Sequence, residues 1–317
     1  MMQRKKNIRL FIIFMALVMV NTAVVFLDVN RSDQYVDRYK FTLIDTSQVD
    51  KITLKQHDRL ISFEKTGEGW LVNQKYPTDE RMMGLIFAVM TSVETSRPVG
   101  ASADNEVRDK LSKEGVLVEF YSGKDDISAF YTGGNPTRTL SYMMKKSESV
   151  PYVVYIPGYS SYLAGLFALK LSDWRNKKAF ETSWSSLKSL KLESVKDNLV
   201  QLHIAYQNNF FKVADVSGVD TVKMMNYLET TTGLAIDQYI EPGEFPDYDS
   251  LISAQPEYII FIEDTDAAKN RQLQIFPPLE GKGLRLGQLL PSKQMVIIRQ
   301  KKVDGILAAN SDFERIE

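Results

Sequence analysis

Residues 68–90 read EGWLVNQKYPTDERMMGLIFAVM, and residues 208–230 read NNFFKVADVSGVDTVKMMNYLET. Each stretch runs from an aromatic-bearing strand through a turn-rich break into a helix carrying two adjacent methionines. In the first, Thr78 or Asp79 is placed to cap the helix. Met82, Ile86, Val89 and Val93 recur there at helical spacing, and Met83, Leu85 and Met90 widen the stripe. In the second, Asp220 caps a helix through Met224, Met225 and Leu228 that Gly233 ends. Val222, Met225 and Leu228 are expected to face the core. A sheet with one apolar face needs such a helix as a lid, so a unit written twice predicts two sheet-plus-helix layers.

The surrounding sequence repeats in the same order. SQVDKITLKQHDRLISFEKTGEGWLV (47–72) predicts strands over Lys51 to Gln56 and Leu60 to Lys65, and a third around Trp70. SLKSLKLESVKDNLVQLHIAYQNNFFKV (186–213) matches it, with Phe210 and Phe211 near the place of Trp70. After the first helix, closed by Ser-Arg-Pro-Val-Gly (96–100), a charged helix from Asp104 to Ser112 leads into VLVEFYS, ISAFYTGG, TLSYMMKK and PYVVYIP, a meander of strands. A helix is expected over Tyr159 to Leu169. In the second half PEYIIFIED, RQLQIFPPL, KQMVIIRQK and DGILAAN supply the later strands. A repeat of this length is a duplicated α+β domain and not a solenoid, whose periods are far shorter.

Leu10 to Leu27 reads LFIIFMALVMVNTAVVFL, 18 residues without a charge. As a helix it is about 27 Å long, close to the hydrocarbon thickness of a bilayer. Arg4, Lys5, Lys6 and Arg9 precede it, whereas Asp28, Asp33 and Asp37 mix with Arg31 and Arg38 after it. The positive-inside rule therefore keeps the N-terminus in the cytoplasm and exports the rest. A cleaved signal peptide would end at a small-x-small site, and around Ala23 bulky Val24, Val25 and Phe26 follow at once. The expected architecture is α+β: residues 1–9 cytoplasmic, 10–28 a transmembrane anchor, 29–45 a tether, and 46–180 and 181–317 two tandem, repeat-related domains of antiparallel sheet plus helix.

The charge is balanced, 39 Lys plus Arg against 40 Asp plus Glu, so no global field points to nucleic acid. With no cysteine in the chain, disulfides, thiolate metal sites and cysteine nucleophiles are excluded.

The hairpin-plus-Trp opening, the Pro-Thr-Asp helix, the strand ending in YTGG, the SYMMKK and PYVVYIP pair and the closing LSDWRNKKAF together resemble the family called domain of unknown function 4340. The resemblance covers roughly residues 49–235 and rests on pattern. The family's usual Leu-Arg-Asp order is altered here to Ser172-Asp173-Trp174-Arg175. The resemblance implies a bacterial, membrane-tethered envelope protein, encoded in some genomes beside ABC transporter permeases and gliding-type auxiliary subunits. It implies no catalytic residues.

Motifs that could carry chemistry read more simply as turns. Gly133-Gly134-Asn135-Pro136-Thr137-Arg138 could bind an anion through its amides, but it leads into a strand and not a helix, so it predicts a hairpin tip. Gly158-Tyr159-Ser160-Ser161-Tyr162 ends in tyrosine where a nucleophile elbow needs glycine, and Ser160 is expected to cap a helix. His57 and His203, the chain's two histidines, read as exposed residues without catalytic neighbours. Glu263-Asp264-Thr265-Asp266 predicts a solvated turn, since its spacing matches no calcium loop. Gly281-Lys282-Gly283-Leu284-Arg285 predicts a basic loop.

Aromatic residues cluster after the meander, at Tyr152, Tyr155, Tyr159, Tyr162, Phe167 and Trp174. Tyr152, Tyr155, Tyr159, Tyr162, Trp174 and Arg175 form the candidate partner-binding surface, with a second small core as the simpler alternative. No cofactor, metal site or catalytic residue is expected. The expected function is that of a non-enzymatic, single-pass accessory or assembly protein of the bacterial inner membrane, its domains periplasmic and bound to an envelope protein complex. An ABC-transporter-associated subunit contacting a solute or polysaccharide is the alternative within binding proteins, and an envelope hydrolase the alternative outside them.

Overall fold

The computed structural model describes residues 13–20, 22, 36–100, 102–241, 244–245 and 254–315. It is an α+β protein with two antiparallel sheets and few helices. The first sheet takes β1 (Lys51–Gln56), β2 (Arg59–Thr66), β3 (Gly69–Val72) and β4 (Tyr76–Pro77) before helix α1 (Glu80–Ser92). β5 (Glu94–Pro98), helix α2 (Asp104–Glu114), β6 (Val116–Ser122), β7 (Asp125–Gly134), β8 (Ser141–Lys145) and β9 (Tyr152–Tyr155) follow. Two single-turn helices, α3 (Ala164–Phe167) and α4 (Leu171–Trp174), lead to the second sheet. That sheet holds β10 (Leu187–Ser194), β11 (Leu199–Gln207) and β12 (Phe210–Val213), then helix α5 (Thr221–Thr232) and β13 (Gln238–Ile240). β14 (Tyr258–Asp264), β15 (Arg271–Leu279), β16 (Leu284–Leu290), β17 (Gln294–Arg299) and helix α6 (Gln300–Asp304) complete it.

The strand order of the first sheet is β4-β3-β2-β1-β6-β7-β8-β9-β5, and that of the second is β12-β11-β10-β14-β15-β16-β17-β13. The two orders correspond strand for strand, with β4 the one addition in the first. In both, the strand after the helix joins the far edge, β5 on β9 and β13 on β17.

The helices show why periodicity reads well but phase does not. Asp79 accepts the Arg81 N–H at 2.9 Å and so caps α1, and Asp220 accepts the Lys223 N–H at 3.0 Å and caps α5. Met83, Ile86, Val89, Met90 and Val93 are buried, with Met82 half-buried, but Leu85, expected to widen the stripe, is 45% exposed. In α5 the buried face is Met224, Tyr227, Leu228, Thr231 and Thr232. Val222, expected to be buried, is 72% exposed: two residues from Met224, it lies about 200° round the helix.

Contacts divide the described residues into two compact units, one within Met1–Leu60 and Ile86–Phe167, the other within Ile61–Leu85 and Ala168–Glu317. The core of the first includes Phe130, set between Phe41 (ring centroids 5.9 Å), Phe120 (6.3 Å) and Phe167 (6.0 Å). The main core of the second comprises Leu190, Leu192, Leu202, Ile204, Leu228, Ile260, Ile262 and their neighbours.

Two expectations are corrected. Helix over Tyr159 to Leu169 shrinks to the single turn of α3, and Ser160 caps nothing, because the backbone bridges Ile156 to Tyr159 first. Ser96 to Gly100 does more than close a helix, since Glu94–Pro98 is a strand on β9. Of the apolar run Leu10 to Leu27, the helical residues 13–20 and 22 are described, and the remainder of the anchor, like much of the tether, lies outside the described residues. No described helix is long and apolar enough to cross a membrane.

Candidate functional site

The six candidate surface residues fall into both compact units. In the first, Tyr152 is half-buried and packs edge-on to Phe41, with Lys40 Nζ 5.1 Å from its ring centroid. Tyr155 donates from its hydroxyl to Glu94 at 2.9 Å, and the same carboxylate accepts from Arg38 Nε at 2.6 Å. Tyr159 is 71% exposed. Tyr162 lies over the hairpin at Gly134, where a Cβ would collide with its ring. Tyr155 and Tyr159 are therefore surface residues, and Tyr152 and Tyr162 are packing residues.

Trp174 and Arg175, in the second unit, are corrections to the surface reading. Trp174 is fully buried, edge-on to Phe63 with centroids 5.1 Å apart. Arg175 is only 6% exposed. Its place follows from the local chain. Asp173 accepts the Lys170 N–H at 3.1 Å and closes the single turn of α4, after which Arg175 is extended. Arg175 then bridges to Thr78, and the Asn176 N–H donates to Pro77 O at 2.8 Å. Lys178 bridges to Ala235.

This strap carries Arg175 between two tyrosines. Its guanidinium carbon is 3.8 Å from the ring centroid of Tyr76, on β4, and 3.6 Å from that of Tyr239, on β13. The Tyr239 hydroxyl donates to Asn176 O at 2.5 Å, which locks its ring against the strap. Burial holds that hydroxyl above its usual pKa range, with Arg175 pulling the other way. Nη1 of Arg175 donates to Gln294 Oε1 at 3.0 Å, and buried Nε has no partner. The guanidinium borders a cavity of about 480 Å³ that Lys75, Lys178, Arg271 and Glu181 also line. Arg271 and Glu181 pair with each other at 3.2 Å. Sequence reading missed Tyr76 and Tyr239 because neither sits in a motif; they meet Arg175 through β4 and β13.

A second feature lies along β12, an edge of the second sheet. Trp184, Tyr206, Phe210 and Val222 are 52%, 50%, 72% and 72% exposed, and the Tyr206 and Phe211 rings meet edge-on at 5.2 Å. A groove of about 670 Å³ is bordered by Trp184, Tyr206, Phe210, Phe211 and Met225. The signal was the Phe210-Phe211 pair itself, because adjacent strand residues point to opposite faces.

The turn motifs divide. Gly133 to Arg138 is a hairpin tip, with Gly134 paired to Ser141 and Asn135 Oδ1 accepting the Thr139 and Leu140 N–H groups. Glu263, Thr265 and Asp266 are exposed as a solvated turn requires, but Asp264 departs from that reading: it is 2% exposed and accepts from Thr182, from Ser186 at 2.6 Å and from the Asp266 N–H at 2.9 Å. Burial raises its pKa, and these hydrogen bonds, with one from Thr265, outweigh that and bring it to about 2. Arg285, expected in a basic loop, is buried in β16, with Nη1 2.5 Å from Glu257 and Nε donating to Gln300 at 2.7 Å. His57 is exposed at a left-handed turn (φ 50°), and His203 is half-buried on β11. Among the described residues no three His, Asp or Glu side chains gather as a metal site requires.

No family model matches the chain. No curated protein and no solved structure matches it either.

Proposed function

We propose that this chain is a non-enzymatic accessory or assembly protein of the bacterial cell envelope, anchored in the inner membrane by Leu10 to Leu27, which binds a protein partner with its exported region. The observation that carries this reading is the exposed aromatic patch along the β12 edge. Trp184, Tyr206 and Phe210 present large apolar area at a site rich in the residue types that dominate protein interfaces. An edge strand also offers unpaired N–H and C=O groups to an incoming chain. In the first sheet the corresponding strand β3 is covered by β4, whereas among the described residues β12 has no outer neighbour. The corresponding strand orders support a duplication over 46–180 and 181–317, one copy closed at this edge and one open. The resemblance to domain of unknown function 4340, carried by the residues quoted above, supports an envelope setting beside transporter or gliding components.

A photo-crosslinking amino acid at Phe210 in the full-length chain, irradiated in native membranes, tests the reading. The expected result is one discrete adduct from position 210, lost on Trp184→Ala and absent when the crosslinker replaces exposed Leu60. No adduct from a folded chain, or the same adducts from both positions, overturns it.

A further inference from the structure

We infer that the cavity beside Arg175 is a binding site for a small oxyanion, a molecule of about sugar size carrying a carboxylate or a phosphate. The inference stands apart from the partner-binding reading, since it rests on other residues of the second unit.

Arg175 carries a charge that it cannot shed, because a guanidinium stays protonated in proteins. It is 6% exposed, and the one hydrogen bond of its guanidinium among the described residues is to the neutral side chain of Gln294. Among the described residues Nε has no partner and no carboxylate pairs with the group. A buried charge without a counter-charge is costly, and native proteins keep such groups paired. The other buried arginine shows the usual solution, since Arg285 has Glu257 at 2.5 Å. Arg175, without such a partner among the described residues, instead borders the cavity.

The cavity is built to supply that counter-charge from outside. Among the described residues four cations line it, Lys75, Arg175, Lys178 and Arg271, against the one carboxylate of Glu181, which Arg271 already engages. This local excess occurs in a chain whose net charge is −1, so it is not a general basicity. Tyr76 and Tyr239 cover the two faces of the guanidinium, which leaves its edge for a ligand. With Nη1 engaged by Gln294 and Nε buried, an oxyanion in the cavity suits the donors that remain through charge-assisted hydrogen bonds. Lys75 and Lys178 are exposed and set a cationic rim that attracts an anion. A volume of about 480 Å³ is in the range of small-molecule sites and has room for a sugar ring with its acid group.

Isothermal titration of the detergent-solubilised full-length chain with glucuronate, glucose 6-phosphate and glucose tests the site. Saturable binding of either anion, weakening as salt rises and absent for neutral glucose, is the expected result. Binding of the first alone assigns a carboxylate, of the second alone a phosphate, and of both the shared oxyanion class. The rim variant Lys75→Glu with Lys178→Glu keeps the melting temperature and weakens binding by at least about tenfold, and Arg175→Lys weakens it further through loss of the planar fork. If Arg175→Lys fails to fold, the exposed rim pair decides alone. No saturable binding of either anion at millimolar concentration, equal binding of glucose, or unchanged affinity in the rim variant overturns the inference.

Discussion

Asp264, the last residue of β14, accepts a hydrogen bond from the Ser186 hydroxyl at 2.6 Å and so ties the start of β10 to the turn that follows β14. The carboxylate is buried yet held ionised by donors from Ser186, Thr182, Asp266 and Thr265. Replacing it by Asn leaves those donors facing an amide. Asp264→Asn is expected to destabilise the second unit by about 1–3 kcal/mol at neutral pH, read as a lower urea midpoint.

The same carboxylate gives a pH dependence of known sign. Its folded pKa of about 2 lies below its unfolded value, so its contribution is complete above about pH 4 and is lost as pH falls through that window. Urea midpoints between about pH 5 and pH 2 should fall less steeply for Asp264→Asn than for the parent chain. Parallel curves would show that this group does not govern acid stability.

Tyr227 gives the opposite window. Burial pushes its hydroxyl up to about 12, and that hydroxyl donates to Ile306 O at 2.8 Å. Stability from this group is complete below the unfolded value near pH 10 and is lost as pH rises from there through about 12. Tyr227→Phe is expected to cost about 1 kcal/mol at neutral pH and to flatten the alkaline limb of the stability curve.

Helix phase is tested by three alanines. Ile86→Ala and Leu228→Ala, both at fully buried positions, are each expected to cost about 2–5 kcal/mol. Val222→Ala, at a position 72% exposed, should fall within about 0.5 kcal/mol of the parent. A large loss at Val222 would contradict the observed face of α5.

Two ion pairs should behave differently. Glu257→Ala strips the partner from a buried guanidinium and is expected to cost about 3 kcal/mol. Asp109→Ala breaks the exposed pair with Lys113 (3.4 Å) and is expected to cost less than about 1 kcal/mol. Chemical denaturation of both variants gives the comparison directly.

Local sequence alone determined the α+β class, β1 to its ends, the meander of β6 to β9 and the cap at Asp220, and narrowed the other cap to Thr78 or Asp79, of which the structure uses Asp79. These features depend on neighbours a few residues apart: alternation along a strand, a 3.6-residue stripe, a carboxylate beside a helix N-terminus. Of the candidate surface residues, only the exposure of Tyr155 and Tyr159 was legible from composition and order.

Tertiary structure decided what depended on distant partners. Glu94–Pro98 is a strand because β9, more than fifty residues on, offers it a ladder. Val222 faces out because packing on Met224 and Leu228 set the phase of α5, and a three-residue stripe could not. Asp264 and Arg285 looked like surface charges in turns and proved to be buried, each held by groups from elsewhere in the chain. Arg175 is the clearest case. Its residue type marked it as a surface contact, but Tyr76 and Tyr239 come from β4 and β13, about 100 residues before it and about 60 after it. Local sequence records which side chains carry charge and which alternate; whether a charge is stacked, paired or left facing a cavity is settled only when the strands that enclose it come together.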